Sequence, residues 1–72
     1  MQYTVWRVSP SGEAFQLTTV GASSVKERAL EKAKLYNEKL RSSDPESEDI
    51  FVVRDESGKE FRPANALNSA RT

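Results

Sequence analysis

The first candidate binding surface is a set of residues spaced as on one face of a helix, at i, i+4, i+7 and i+11. It consists of Arg28, Lys32, Leu35 and Lys39. A leucine exposed among cations is suited to docking on an acidic protein surface, and the cations also suit a phosphate backbone. The simpler alternative is a solvated helix face with weak pairs such as Lys34 and Glu38.

The second candidate surface is the outer face of a strand pair near the N-terminus. It consists of Tyr3, Val5, Arg7 and Gln16. Tyrosine can stack on a base, arginine can contact guanine or phosphate, and glutamine can contact adenine. Tyr3 and Val5 also suit an apolar patch that binds a protein, including a second copy of the chain. The alternative is an ordinary sheet surface, because no RNP-type aromatic motif, KH-type glycine loop or helix-turn-helix pattern is present.

Catalysis and metal binding lack the residues they most often use. The chain has no His and no Cys, so it offers no base of near-neutral intrinsic pKa and no thiolate or imidazole metal ligand. The sequence therefore predicts a non-enzymatic protein without a cofactor or metal. The acidic residues Asp44, Glu46, Glu48 and Asp49 lack the central glycine and terminal glutamate of a calcium loop, and they predict a solvated loop.

Length and charge indicate one small domain. The chain has 72 residues, with 11 Lys plus Arg against 11 Asp plus Glu. Basic residues predominate between Ser24 and Arg41, and acidic residues between Ser42 and Asp49. This alternation argues against the predominantly basic surface of a typical nucleic-acid-binding protein. No apolar run approaches a membrane span and no signal-peptide pattern begins the chain, so we expect a cytoplasmic protein with no membrane partner.

The first 20 residues predict a β-hairpin over residues 3–20. Segments 3–8 and 14–20 are rich in β-branched and aromatic residues and flank Ser9-Pro10-Ser11-Gly12, a turn sequence. If these residues form a four-residue turn, Val8 faces Glu13 and Trp6 faces Phe15. The predicted core face then carries Trp6, Val8, Phe15 and Leu17. The opposite face carries Tyr3, Val5, Arg7, Ala14, Gln16 and Thr18.

A helix is predicted over residues 24–41. Ser24 and Glu27 have capping-box spacing, and the turn formers before Pro45 favour an end near Arg41. Its apolar stripe, which packs on the hairpin, consists of Val25, Ala29, Ala33, Tyr36 and Leu40, with Leu30 at its flank. The acidic loop follows over residues 42–49.

The last third predicts a second hairpin over residues 50–62 and a tail over residues 63–72. Its strands cover residues 50–55 and 59–62, with Gly58 in a left-handed or bulge position. The tail has the composition for one or two helical turns. Residues 50–53 are apolar on both strand faces, so we expect a cover over the second face. That cover is either the tail, through Ala66 and Leu67, or another protein chain, including a second copy.

Together these elements predict an α+β fold of order ββαββ, with one helix on an antiparallel sheet of three or four strands. If the third strand pairs with the first, the spatial order is 2-1-3-4.

The favoured function is a regulator, adaptor or inhibitor that binds another protein. The alternative is a small nucleic-acid-binding domain, and a third class is a structural subunit that self-assembles through its strand edges. A Trp-containing hairpin followed by a helix and a valine-rich strand loosely resembles small bacterial and phage-borne proteins of unknown function, and this resemblance implies no role. The small size of the Cys-free domain is what suits a bacterial or mobile-element accessory protein.

Overall fold

The computed structural model describes residues 1–63 and confirms the predicted α+β fold. Its elements are β1 (Tyr3–Val8), β2 (Ala14–Gln16), α1 (Lys26–Ser43), β3 (Ile50–Asp55) and β4 (Glu60–Phe61). The strands form one antiparallel sheet in the order β2-β1-β3-β4, as the sequence predicts. The helix crosses one face of this sheet and packs on β1 and β3. Within residues 1–63, no helix is long and apolar enough to cross a membrane.

The predicted register of the first hairpin is wrong by one residue. The Ser9 N–H donates to the Glu13 carbonyl at 2.9 Å, and the Gly12 N–H donates to the Ser9 carbonyl at 2.9 Å. Gly12 has φ +99°, so the loop has three residues and ends in a left-handed glycine bulge. Val8 therefore pairs with Ala14, and Trp6 pairs with Gln16.

This shift changes which side chains of the hairpin face the helix. Val5 is 1% exposed and lies in the core, whereas Trp6 pairs across the sheet with Val52 on the opposite face. Leu17 packs against the core as predicted. Phe15 also belongs to the helix side, but it lies on the edge strand beyond the helix and is 63% exposed. The predicted placement of Trp6, Val8 and Phe15 in the core was therefore wrong.

The core lies between the helix and the two central strands. Its buried residues are Val5, Val20, Ala29, Ala33, Phe51 and Val53. Ala29 and Ala33 are the helix residues closest to complete burial, and their small side chains allow a close approach to the sheet. Tyr36 extends this contact, with its ring centroid 5.3 Å from that of Phe51. The predicted apolar stripe is confirmed apart from Val25, which is 43% exposed.

The helix begins and ends later than predicted. Its N-cap is Val25, without a side-chain cap, so Ser24 and Glu27 do not occupy the N-cap and N3 positions that a capping box needs. The Ser23 hydroxyl instead bonds to the backbone of Val25. At the other end the Asp44 N–H donates to the Leu40 carbonyl at 2.7 Å, immediately before Pro45. The acidic loop consequently starts after Ser43.

The second hairpin has the same kind of turn as the first. The Asp55 N–H donates to the Lys59 carbonyl at 3.1 Å, and Gly58 has φ +89°, which confirms its predicted left-handed position. The Asp55 carboxylate accepts bonds from the Ser57 hydroxyl at 2.6 Å and from the backbone N–H groups of Ser57 and Lys59. The hydrogen bond from the Ser57 side chain is the main cause that lowers the pKa of Asp55. The strand β4 is shorter than predicted.

Replacing Gly58 by alanine is expected to lower the free energy of unfolding by about 1 kcal/mol, because a Cβ disfavours positive φ. Urea denaturation measures this loss. Gly21→Ala is the matched control, since Gly21 lacks a positive φ and its Cβ would meet open space. Equal stability of the two variants contradicts the left-handed turn.

The Asp55 carboxylate is expected to contribute stability at neutral pH that is lost in acid. Its pKa in the folded state is lower than the usual 3.8, so the contribution is complete above that value and disappears as the pH falls through the folded pKa. Following the carboxyl carbon by NMR should give a midpoint below 3.8. The stability difference between the wild type and Asp55→Asn should shrink from pH 7 to pH 2. A midpoint at or above the usual value contradicts this prediction.

The sheet face opposite the helix centres on Val52. Val52 is 0% exposed and lies opposite Trp6 in the ladder. The Trp6 indole N–H donates to the Thr4 hydroxyl at 2.8 Å, and the Arg54 guanidinium lies 4.7 Å from the Trp6 ring centroid. The predicted cover by Ala66 and Leu67 and the predicted helical turns of the tail lie outside the described residues.

Candidate functional site

The first candidate set lies on the exposed side of α1, as its spacing predicts. We call Arg28, Lys32, Leu35 and Lys39 the ridge. All four side chains are exposed, and Leu35 keeps 52% of its surface open. The buried helix residues Ala29 and Ala33 point at the sheet, so the helical repeat directs the ridge to solvent. An exposed leucine surrounded by cations is therefore a feature of the folded surface.

A groove of about 290 Å³ runs along the ridge between α1 and the segment 19–21. Its apolar lining comes from Leu35, Tyr36 and Val20, and Lys32 and Lys39 also line it. The segment is held in place because Val20 is 7% exposed and its N–H donates to the Leu17 carbonyl at 3.1 Å. The groove can accept one apolar side chain beside two ammonium groups.

Leu35 also borders two shallower depressions, so it lies at the centre of this surface. One is shared with Arg28, Glu31 and Lys32. The other is shared with Glu38, Lys39, Ser42 and Ser43. A leucine in this position is available to contacts from several directions, with charged residues at the border.

The cations of the ridge are available to an external anion. Within residues 1–63, neither Arg28 nor Lys32 forms an ion pair. The Lys39 ammonium lies 6.0 Å from the Tyr36 ring centroid, which is an outer-limit cation–π distance. Among residues 1–63, no carboxylate lines the groove itself. The groove thus combines apolar residues with two lysines, whereas Glu31 and Glu38 border the depressions beside it.

The second candidate set is not brought together by the fold. Val5 is 1% exposed and cannot contact a partner, so its assignment as a binding residue is wrong. Tyr3 lies on the helix side, 6.1 Å from Phe61 between ring centroids. Arg7 is on the helix side too, since its guanidinium lies 5.7 Å from the Phe51 ring and its Nε donates to the Asp49 carboxylate at 2.8 Å. Gln16 is exposed on the opposite face. Gln16 therefore lies on the predicted face, whereas the one-residue error in register put Tyr3, Val5 and Arg7 on the wrong one.

The acidic loop contributes one structural contact. Asp49 is partly buried and forms the ion pair with Arg7, which joins the end of the loop to β1. The other acidic residues of the loop, Asp44, Glu46 and Glu48, are exposed. Among the residues that the structure describes, no three carboxylates come close enough together to hold a metal ion.

Asn37 is a structural residue that the sequence reasoning missed. It is 3% exposed, its Nδ2 donates to the Phe51 carbonyl at 3.1 Å, and its Oδ1 accepts from the Phe51 N–H at 2.8 Å. Phe51 lies beyond the end of the β3–β4 ladder, so the amide takes the place of a neighbouring strand. The available signal was a polar residue four positions after Ala33, in the middle of the apolar stripe.

No family model, curated protein or solved structure matches this chain. A functional proposal therefore depends on its surfaces. The ridge combines an exposed apolar side chain, a groove and two cations, Arg28 and Lys32, that form no ion pair within residues 1–63. On the sheet face opposite the helix, by contrast, Glu60 already pairs with Arg54 at 3.7 Å and with Arg62 at 2.9 Å. Of these two surfaces, the ridge is the better candidate binding site, because its charged groups are not already paired with each other.

Proposed function

We propose that this chain is a non-enzymatic, cytoplasmic protein-binding module that acts as a regulator, adaptor or inhibitor. Its ridge binds an acidic segment of a partner protein that carries an apolar side chain. The observation that supports this most directly is Leu35, which is 52% exposed beside a groove and among cations. Such a side chain gains hydrophobic contact on binding without losing any contact in the free protein.

Charge specifies the chemistry of the partner. The groove is bordered by Lys32 and Lys39, and the described part of the chain contributes no carboxylate to its lining. Aspartate or glutamate on either side of the inserted apolar residue would pair with these ammonium groups. A basic segment would meet like charge, so the same arrangement provides specificity.

The composition of the groove favours binding over catalysis. The chain has no His or Cys, and the polar groups of the groove come from Thr19, Lys32, Tyr36 and Lys39. This set contains no carboxylate or imidazole to act as a general base. A shallow groove on a helix also offers little enclosure for a reacting substrate.

The proposal is tested with a synthetic peptide library. Each fluorescein-labelled ten-residue peptide carries one leucine, phenylalanine or tryptophan flanked by glutamates, and a matched library has lysines in place of the glutamates. Fluorescence anisotropy should detect binding of acidic peptides only. Leu35→Asp and the double variant Lys32→Glu/Lys39→Glu should each weaken that binding by about tenfold or more. Equal binding of both libraries, or unchanged affinity in both variants, contradicts the proposal.

Matched controls separate the ridge from general surface effects. Val25→Asp alters another exposed apolar residue, at the N-cap of the helix that carries the ridge. Lys59→Glu reverses a charge in the second hairpin turn. Both should retain binding, and circular dichroism checks that every variant is folded. The same titration with labelled DNA and RNA tests the alternative. Nucleic-acid binding that falls steeply with salt, together with no peptide binding, would replace this proposal with the nucleic-acid one.

A further inference from the structure

We infer that the free edge of β2 pairs with β2 of a second copy of this chain, forming a two-fold symmetric dimer with a continuous eight-stranded sheet. This surface is separate from the ridge. The inference depends on the backbone of β2, on its composition and on the exposure of Phe15.

The backbone of β2 has unpaired groups that point outward. The Leu17 N–H donates to the Val5 carbonyl at 2.9 Å, and the Ser9 N–H donates to the Glu13 carbonyl at 2.9 Å. Because backbone groups alternate between the two sides of a strand, those of Ala14 and Gln16 point away from β1. The strand lies at the edge of the sheet, and within residues 1–63 no other element bonds to these groups. They are a template for another strand.

The two edges of the sheet differ in their protection against pairing. Around β4 the chain carries Lys59, Glu60 and Arg62 and then Pro63, which are residues that discourage strand addition. The segment 14–25, which contains β2, has no charged residue. One edge is thus protected by its sequence and the other is open.

Phe15 makes the open edge self-complementary. In an antiparallel pair centred on Phe15, Ala14 of each copy exchanges backbone hydrogen bonds with Gln16 of the other. The two Phe15 residues then form a non-hydrogen-bonded pair with Cα atoms about 4.5 Å apart, where side chains are in close contact. This contact would cover an aromatic ring that is 63% exposed in one copy.

The position of the helix leaves room for this arrangement. The two-fold axis is perpendicular to the sheet, so both helices lie on the same side. Because α1 packs on β1 and β3, it does not cover the side of β2 that Phe15 occupies. Two short strands bury less than the roughly 1,200 Å² of a standard interface, so the dimer is expected to be weak and concentration-dependent.

Sedimentation from about 10 μM to about 1 mM tests the dimer through its mass. The wild type should shift from monomer to dimer over this range. Phe15→Glu should raise the dissociation constant at least about tenfold, because it places two carboxylates opposite each other. Gln16→Pro removes an outward N–H without removing a bond of the β1–β2 ladder, and it should also abolish the dimer. Val25→Glu, which changes an exposed apolar residue at the start of α1, should not.

The same experiment distinguishes this inference from the proposed function. Leu35→Asp should leave the dimer intact while it weakens peptide binding. A wild type that stays monomeric at about 1 mM overturns the inference, as does a dimer that survives both Phe15→Glu and Gln16→Pro. A dimer lost in Leu35→Asp and kept in Phe15→Glu also overturns it. In a mixed labelled and unlabelled sample, NMR should detect contacts between the Phe15 rings of two copies.

Discussion

Replacing Asn37 by leucine is expected to lower the free energy of unfolding by about 2–4 kcal/mol. The Asn37 amide satisfies both backbone groups of Phe51, at 3.1 Å and 2.8 Å, in a buried position. Leucine has a similar volume but leaves the Phe51 N–H and carbonyl buried without partners, which costs more than the loss of two ordinary hydrogen bonds. Chemical denaturation at neutral pH measures this loss.

Glu38→Leu is the matched control for Asn37, because it makes a similar replacement at the next, exposed position of the helix. It should change stability by no more than about 0.5 kcal/mol. If Asn37→Leu is as stable as this control, water or another group replaces the amide and the strand-like role of Asn37 is wrong.

Alanine at Phe51 is expected to cost about 3–5 kcal/mol, whereas alanine at Phe15 is expected to cost less than about 1 kcal/mol. Both residues lie on the helix side of the sheet, and both flank Arg7 in the strand ladders. Phe51 is 6% exposed and contacts Tyr36, but Phe15 is 63% exposed. Alanine at Phe51 leaves a cavity in the core, whereas alanine at the exposed Phe15 leaves none.

Denaturation at low micromolar concentration compares these two variants without a contribution from self-association. Phe51→Leu provides a milder test in case the alanine variant does not fold, with an expected loss of about 1–2 kcal/mol. Similar losses at Phe15 and Phe51 would contradict the exposure of Phe15 on the edge strand.

The sequence predicted the elements of this fold better than it predicted their faces. Turn formers, segments rich in β-branched and aromatic residues, and helical periodicity are local features. They were sufficient to predict the positions of the two hairpins and the helix. The identity of the core face depends on whether Gly12 extends a four-residue loop or ends a three-residue loop with a bulge. Both readings fit Ser-Pro-Ser-Gly, but they place Val5 and Trp6 on opposite faces.

The prediction was right for the helix surface and wrong for most of the strand surface, because helices and strands respond differently to a small shift along the sequence. The ridge depends on helical spacing, so a shift of two residues in the helix ends leaves Lys32 and Leu35 on the same exposed face. The strand set depends on alternation, in which a shift of one residue moves Val5 from solvent to core. The role of Asn37 was not predictable from local pattern alone, since it depends on where β4 ends.

The strand order also has a consequence for folding kinetics. Every pair of the β1–β3 ladder, from Val8–Ile50 to Tyr3–Asp55, closes a chain loop that contains the whole helix. The hairpins and the helix can form locally within microseconds, but none of them has its apolar side covered until β1 meets β3. We therefore expect the slow step to be the meeting of β1 with β3, and the two hairpins to gain their stability together.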